Sequence, residues 1–156
     1  MPPADNFINW QARLEPMDDC VFCKIIERQV PSHMVYEDEH VVAFAPLEKD
    51  MLSKGHLLVV PKKHFENIFD ITIDELTFIM RAVKLISKKL KESYSAEGVN
   101  ILNASGKAAQ QSVAHFHLHL VPRYKDDGLD AWPKTGYVEK AGSEIYKRMK
   151  ELLAEK

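Results

Sequence analysis

Three of the seven histidines stand on alternate positions of one apolar run, His115-Phe116-His117-Leu118-His119-Leu120-Val121. Side chains in a strand have a period of two, so the run gives one face of imidazoles and one of Phe116, Leu118 and Leu120. The apolar face can anchor in a core. The other presents neutral ring nitrogens near pH 7, because an unperturbed histidine titrates at about 6.5. A single zinc ion cannot easily gather all three rings: a straight strand sets the first and third Cα atoms about 13 Å apart, against Zn–N bonds of about 2 Å. The row therefore suits nucleophilic or hydrogen-bonding work.

The flanking residues narrow that work. Upstream, Asn103-Ala104-Ser105-Gly106-Lys107-Ala108-Ala109-Gln110-Gln111-Ser112 is a loop of small and polar residues able to bring backbone N–H groups near an anion. Downstream is Pro122-Arg123-Tyr124. The cysteines of Cys20-x-x-Cys23 admit three readings: a reduced redox pair, half of a metal site, or two small buried hydrophobes. Two cysteines make no disulfide framework.

Here the chain resembles the histidine triad (HIT) superfamily of nucleotide hydrolases and transferases. Its signature is His-φ-His-φ-His-φ-φ, with φ apolar, after a small-residue loop ending in Gln-Ser or Gln-Thr. Every position of His115 to Val121 fits. The resemblance extends from Cys20-Val21-Phe22-Cys23-Lys24-Ile25-Ile26 through Gly55-His56-Leu57-Leu58-Val59-Val60-Pro61-Lys62-Lys63-His64 to Arg123. It is similar to the bacterial branch, and the exit Leu120-Val121-Pro122-Arg123 also resembles the fragile-histidine-triad branch.

The resemblance implies a division of labour. His117 is the nucleophile forming a nucleotidyl-histidine intermediate, one ring nitrogen held by a backbone carbonyl. His119 hydrogen-bonds the phosphate or scissile region, and Ser112 and Gln111 donate to phosphate oxygens or the leaving group. Asn103 matches a polar residue touching the α-phosphate or ribose, although turn formation also explains an Asn there. Glu48 is the candidate for the ribose diol, since one carboxylate can accept from both hydroxyls. Cys20, Cys23, His64 and His115 form a tetrahedral structural zinc set if the fold gathers them, as in several bacterial relatives. No organic cofactor is implied. Two positions depart from the family pattern: Gln110 stands where a Gly precedes Gln-Ser, and Pro46 replaces an Asp of another branch.

The elements that must position these residues follow from periodicity. Residues 1–17, with Trp10, read as an N-terminal arm, and 18–156 as one HIT domain with a C-terminal helix. Asp18 or Asp19 can cap a short helix carrying both cysteines at i, i+3. Met34 to Tyr36 and His40 to Ala45 read as a hairpin, and Gly55 to Val60 as a third strand. Thr72-Ile73-Asp74-Glu75 has capping-box form. After it Leu76, Ile79, Met80, Val83 and Ile86 keep helical spacing to about Tyr94. Val99 to Asn103 makes a strand before the histidine strand, and Ser143 can cap a final amphipathic helix. The pattern predicts an α+β fold. The resemblance supplies the rest: a five-stranded antiparallel sheet with one long and one short helix on one face, as a homodimer with joined sheets. Trp132 then reaches the partner's pocket or packs on its own subunit.

Composition sets the outer bounds. The 156 residues fit one domain. A formal charge of −2 with 28% charged residues gives no basic footprint for a nucleic-acid polymer. With no apolar run of membrane-span length and no secretory leader, the expected location is cytoplasmic. The family resemblance implies a purine nucleotide or its conjugate as the partner.

Overall fold

In the computed structural model, which describes residues 19–132 and 143–155, the chain folds as an antiparallel sheet between unequal helical layers. In chain order the elements are α1 (Val21–Ile26), β1 (Met34–Glu37), β2 (Val41–Phe44), a 3₁₀ turn (Glu48–Asp50), β3 (Leu57–Pro61) and α2 (Ile73–Tyr94). Then come β4 (Gly98–Leu102), a second 3₁₀ turn (Lys107–Ala109), β5 (Leu118–Arg123) and α3 (Ser143–Ala154). The five strands lie in the order β1-β2-β3-β5-β4 and all pairs are antiparallel. The last strand to form in sequence is thus inserted between β3 and β4, with His119 opposite Leu58 on one side and Leu102 on the other.

Period-two alternation divides the central strands between two cores. Val41, Ala43, Leu57, Val59, Leu118 and Leu120 face Ile79, Ala82, Val83 and Leu90 of α2. Val42, Phe44, Leu58 and Val60 face Phe22 and Ile25 of α1. With both faces covered, β2 and β3 are buried at every position, which explains their unbroken apolar sequence. This corrects the expected placement of both helices on one face. The short helix lies on the face opposite α2 because β2 and β3 are apolar at consecutive positions and each needs a cover on either side.

Thr72 caps α2 as expected, its Oγ1 accepting the Glu75 N–H at 3.3 Å. The Glu75 carboxylate instead pairs with Lys63 at 2.7 Å. Ile79 and Val83 of the expected stripe are buried, and Met80 is 47% exposed because Ala82 and Leu90 rotate the buried face away from it. Helix α1 begins after Cys20 with no side-chain cap. The capping reading of Asp18, like the whole arm with Trp10, falls outside the described residues. Six residues are too few to hold a helix alone. Burial of Phe22 and Ile25, worth roughly 1.5–3 kcal/mol each, fixes α1 to the sheet.

Candidate active site and metal centre

The strand expected over all three histidines starts at Leu118, so only His119 lies within it. His115 and His117 sit in the irregular lead-in, His115 at a bend, where Phe116 N–H donates to the Phe65 carbonyl at 2.6 Å. Alternation survives: Phe116 and Leu118 join the core beneath α2, and the three imidazoles share the opposite face. That face is not open to water. Helix α1 lays Phe22 over it, 5.2 Å edge-on to His117 and 5.9 Å from His115, leaving these rings 2% and 0% exposed.

The three rings have different partners. His117 Nδ1 lies 2.8 Å from the carbonyl of His115. A carbonyl can only accept, so Nδ1 carries the proton and Nε2 keeps its lone pair. Burial pushes the ring's pKa below the ordinary histidine value, which preserves that neutral state at pH 7. The Asn103 amide donates to the His117 carbonyl at 2.9 Å, and its Oδ1 accepts from Ser105 Oγ at 2.6 Å. Asn103 therefore ties the loop to the backbone of His117.

His119 Nδ1 lies 3.0 Å from Nε2 of His56, a residue that sequence reasoning passed over although Gly55-His56 was in view. His56 is 1% exposed, and its other nitrogen lies 3.1 Å from the Leu52 N–H. Gly55 has φ +82°, a left-handed turn residue, and a Cβ there would sit 3.5 Å from Pro122. The signal was the lone histidine entering a buried apolar strand. Burial and the neighbouring imidazoles push His119 down to about 4.

The loop before the triad is braced from within. The Gln111 amide donates to the carbonyls of Glu66 and Val113 at 2.6 and 2.9 Å and accepts the Gly106 N–H at 2.7 Å. Its polar atoms are thus engaged by the protein itself. Gln110, where the family pattern has Gly, takes the left-handed conformation with φ 65°. Ser112 is exposed. Glu48 is exposed on its 3₁₀ turn, and no hydrogen bond or ion pair joins its side chain to the triad among the described residues. Trp132 is 77% exposed.

The fold gathers four residues from three separate segments. Ligand atoms of Cys20, Cys23, His64 and His115 lie within 4.8 Å of one another. Cys20 Sγ to His115 Nδ1 is 3.4 Å, Cys23 Sγ to His64 Nδ1 is 3.4 Å and Cys23 Sγ to His115 Nδ1 is 3.6 Å. Tetrahedral coordination with Zn–S of about 2.3 Å and Zn–N of about 2.0–2.1 Å requires S···N edges of about 3.5 Å, so this donor set fits zinc. His115 Nε2–H donates to the Pro61 carbonyl at 2.9 Å, which fixes the ring and leaves Nδ1 as the nitrogen able to ligate. The first triad histidine thereby joins this donor set of two cysteines and two histidines, while His117 and His119 lie with their ring centroids 5.1 Å apart beside it.

Residues 27–126 match the family model described as the HIT domain. The chain is a member of the HIT family. A solved structure of a HIT family protein from Bacillus anthracis superposes with a TM-score of 0.75 at 40% identity, covering 88% of this chain and 96% of that one. A zinc-bound histidine triad family protein from Mycobacterium smegmatis gives 0.68 at 34% identity, covering 72% and 81%. An adenosine 5′-monophosphoramidase from Candida albicans is 33% identical over 142 residues, 86% of this chain and 91% of its own. The HIT fold and its antiparallel five-stranded sheet agree with the expectation from sequence.

Proposed function

We propose that this HIT protein cleaves nucleoside 5′-monophosphate derivatives at the α-phosphorus through a nucleotidyl-His117 intermediate. The observation that carries the reading is the His117 Nδ1 contact with the His115 carbonyl at 2.8 Å, which leaves a buried, neutral Nε2 as nucleophile. Its lone pair forms the P–N bond as the bond to the leaving group breaks, and water later hydrolyses the P–N bond and restores the ring. The relative that acts as an adenosine 5′-monophosphoramidase supports a purine nucleotide with an amine leaving group, and a dinucleoside polyphosphate serves the same first step.

The remaining roles follow on the same reading. His119 and exposed Ser112 serve the phosphate and leaving group, Asn103 and Gln111 hold the loop around them, and Glu48 serves the ribose. The chain acts as a homodimer in which exposed Trp132 covers the partner's leaving-group side. Cys20, Cys23, His64 and His115 hold zinc, whose contribution is structural: it ties the short α1 to the histidine segment and so keeps Phe22 over His117.

The test is mass spectrometry of protein quenched during turnover of adenosine 5′-phosphoramidate and of diadenosine polyphosphates. A nucleotidyl adduct on His117, absent in His117→Ala, is the expected result. Turnover with no adduct, or unchanged activity in His117→Ala, refutes the mechanism. Binding of nucleotide without turnover of any conjugate makes the chain a nucleotide-binding module instead.

A further inference from the structure

The contacts behind His119 fix where its proton resides. The Leu52 backbone N–H can only donate, so His56 Nδ1, 3.1 Å away, must present a lone pair. Neutral His56 then carries its proton on Nε2, which lies 3.0 Å from His119 Nδ1. That proton makes His119 Nδ1 the acceptor in turn, and neutral His119 has its N–H on Nε2. Both links are half-buried, and the chain starts from a backbone group that cannot change its proton.

We propose that Leu52 and His56 are positioning residues that lock His119 as an Nε2–H hydrogen-bond donor to a phosphate oxygen, and that His119 does not supply the leaving-group proton. The proton count gives the second half. If Nε2 of neutral His119 surrendered its proton, the ring would need another on Nδ1. His56 could give one only by becoming a ring with no proton at all, since Leu52 cannot release its own. The alternative, an imidazolium at His119 Nδ1, would face the His56 N–H directly, and the burial that depresses both rings works against it. During transfer the P–N bond to His117 forms and the leaving atom departs with its electron pair. The proton that atom needs comes from solvent water, while His119 holds negative charge on the phosphate oxygen.

The role at phosphorus rests on the nucleotidyl-transfer reading, whereas the tautomer does not, so two measurements separate them. The first is long-range ¹H–¹⁵N correlation spectroscopy on histidine-labelled wild-type protein at neutral pH, with rings assigned from His56→Asn and His119→Asn spectra. Expected are Nε2–H tautomers for both His56 and His119. An Nδ1–H or doubly protonated His119 overturns the proposal. Leu52→Pro, which removes the N–H donor while also fixing φ at that position, should return His56 to a mixture of tautomers, and an unchanged single tautomer there counts against the relay. The second compares His119→Ala with wild type over leaving groups of rising basicity. A donor to phosphate predicts a roughly constant loss of about ten- to a hundredfold, the worth of one charge-assisted hydrogen bond. A loss that grows with leaving-group basicity shows proton donation by His119 and overturns the proposal. Failure to trap nucleotide on His117 would remove the transfer reading and leave the tautomer result standing.

Discussion

Replacing Gln111 by Leu separates a brace from a ligand-binding group. In sequence this amide matched a phosphate or leaving-group donor. In the structure it spans three backbone groups, the Glu66 and Val113 carbonyls and the Gly106 N–H, at 2.6 to 2.9 Å. Leucine keeps most of the volume and removes all three bonds. At about 0.5–1.5 kcal/mol each, they bound the loss between about 1.5 and 4.5 kcal/mol. The side chain is half-buried and water can replace part of what is lost, so a value near 2 kcal/mol is expected. For a chain of this size that corresponds to a fall in Tm of about 4–8 °C. Urea unfolding and calorimetric titration with adenosine 5′-monophosphate at 15 °C give the two readouts. Stability should fall by that amount while Kd stays within about threefold of wild type, the factor equivalent to less than one hydrogen bond. A tenfold weaker Kd with unchanged Tm would falsify the brace.

Gln110→Gly should raise stability by up to about 1 kcal/mol in urea, because a left-handed backbone strains any residue with a Cβ, although glycine's greater unfolded-state entropy offsets part of the gain. His119 is held down at about 4 by burial and its neighbouring imidazoles, against 6.5 in the unfolded chain, so the unfolded state binds a proton first as pH falls. Its stabilisation is complete above pH 6.5 and is lost on descending toward pH 4, by at most about 3.4 kcal/mol. Urea midpoints should drop steeply between pH 7 and 5, and a midpoint flat across that range would contradict the burial of a neutral ring. Elemental analysis of protein purified without chelator should find about one zinc per chain. Cys20→Ser should lower that content and the Tm, with hydrogen exchange accelerated most in α1, since two of the four proposed ligands hold that helix.

The sequence by itself determined the local chemistry and the local elements. Alternation of His with Phe, Leu and Leu is a backbone property, so the split of this segment into an imidazole face and an apolar face survived even where strand pairing stops short of His115 and His117. Thr72 could be read as a cap because its bond reaches only to Glu75. Family membership was legible for a related reason: the triad and its loop form one continuous stretch. What only the tertiary structure decided was every relation between segments. The side of the sheet that α1 covers depends on which face of β2 and β3 remains vacant once α2 has docked, and consecutive apolar residues do not label their faces. His56 escaped notice because its partner His119 lies 63 positions away and the two meet only when β5 inserts beside β3. Gln111 changed from a candidate donor to a brace because the Glu66 carbonyl is 45 positions distant, and sequence cannot show that an amide's hydrogen bonds are already taken. The four zinc-type ligands had the right atoms for tetrahedral coordination from the start. Their S···N distances near 3.5 Å exist only because the sheet carries His115 to α1.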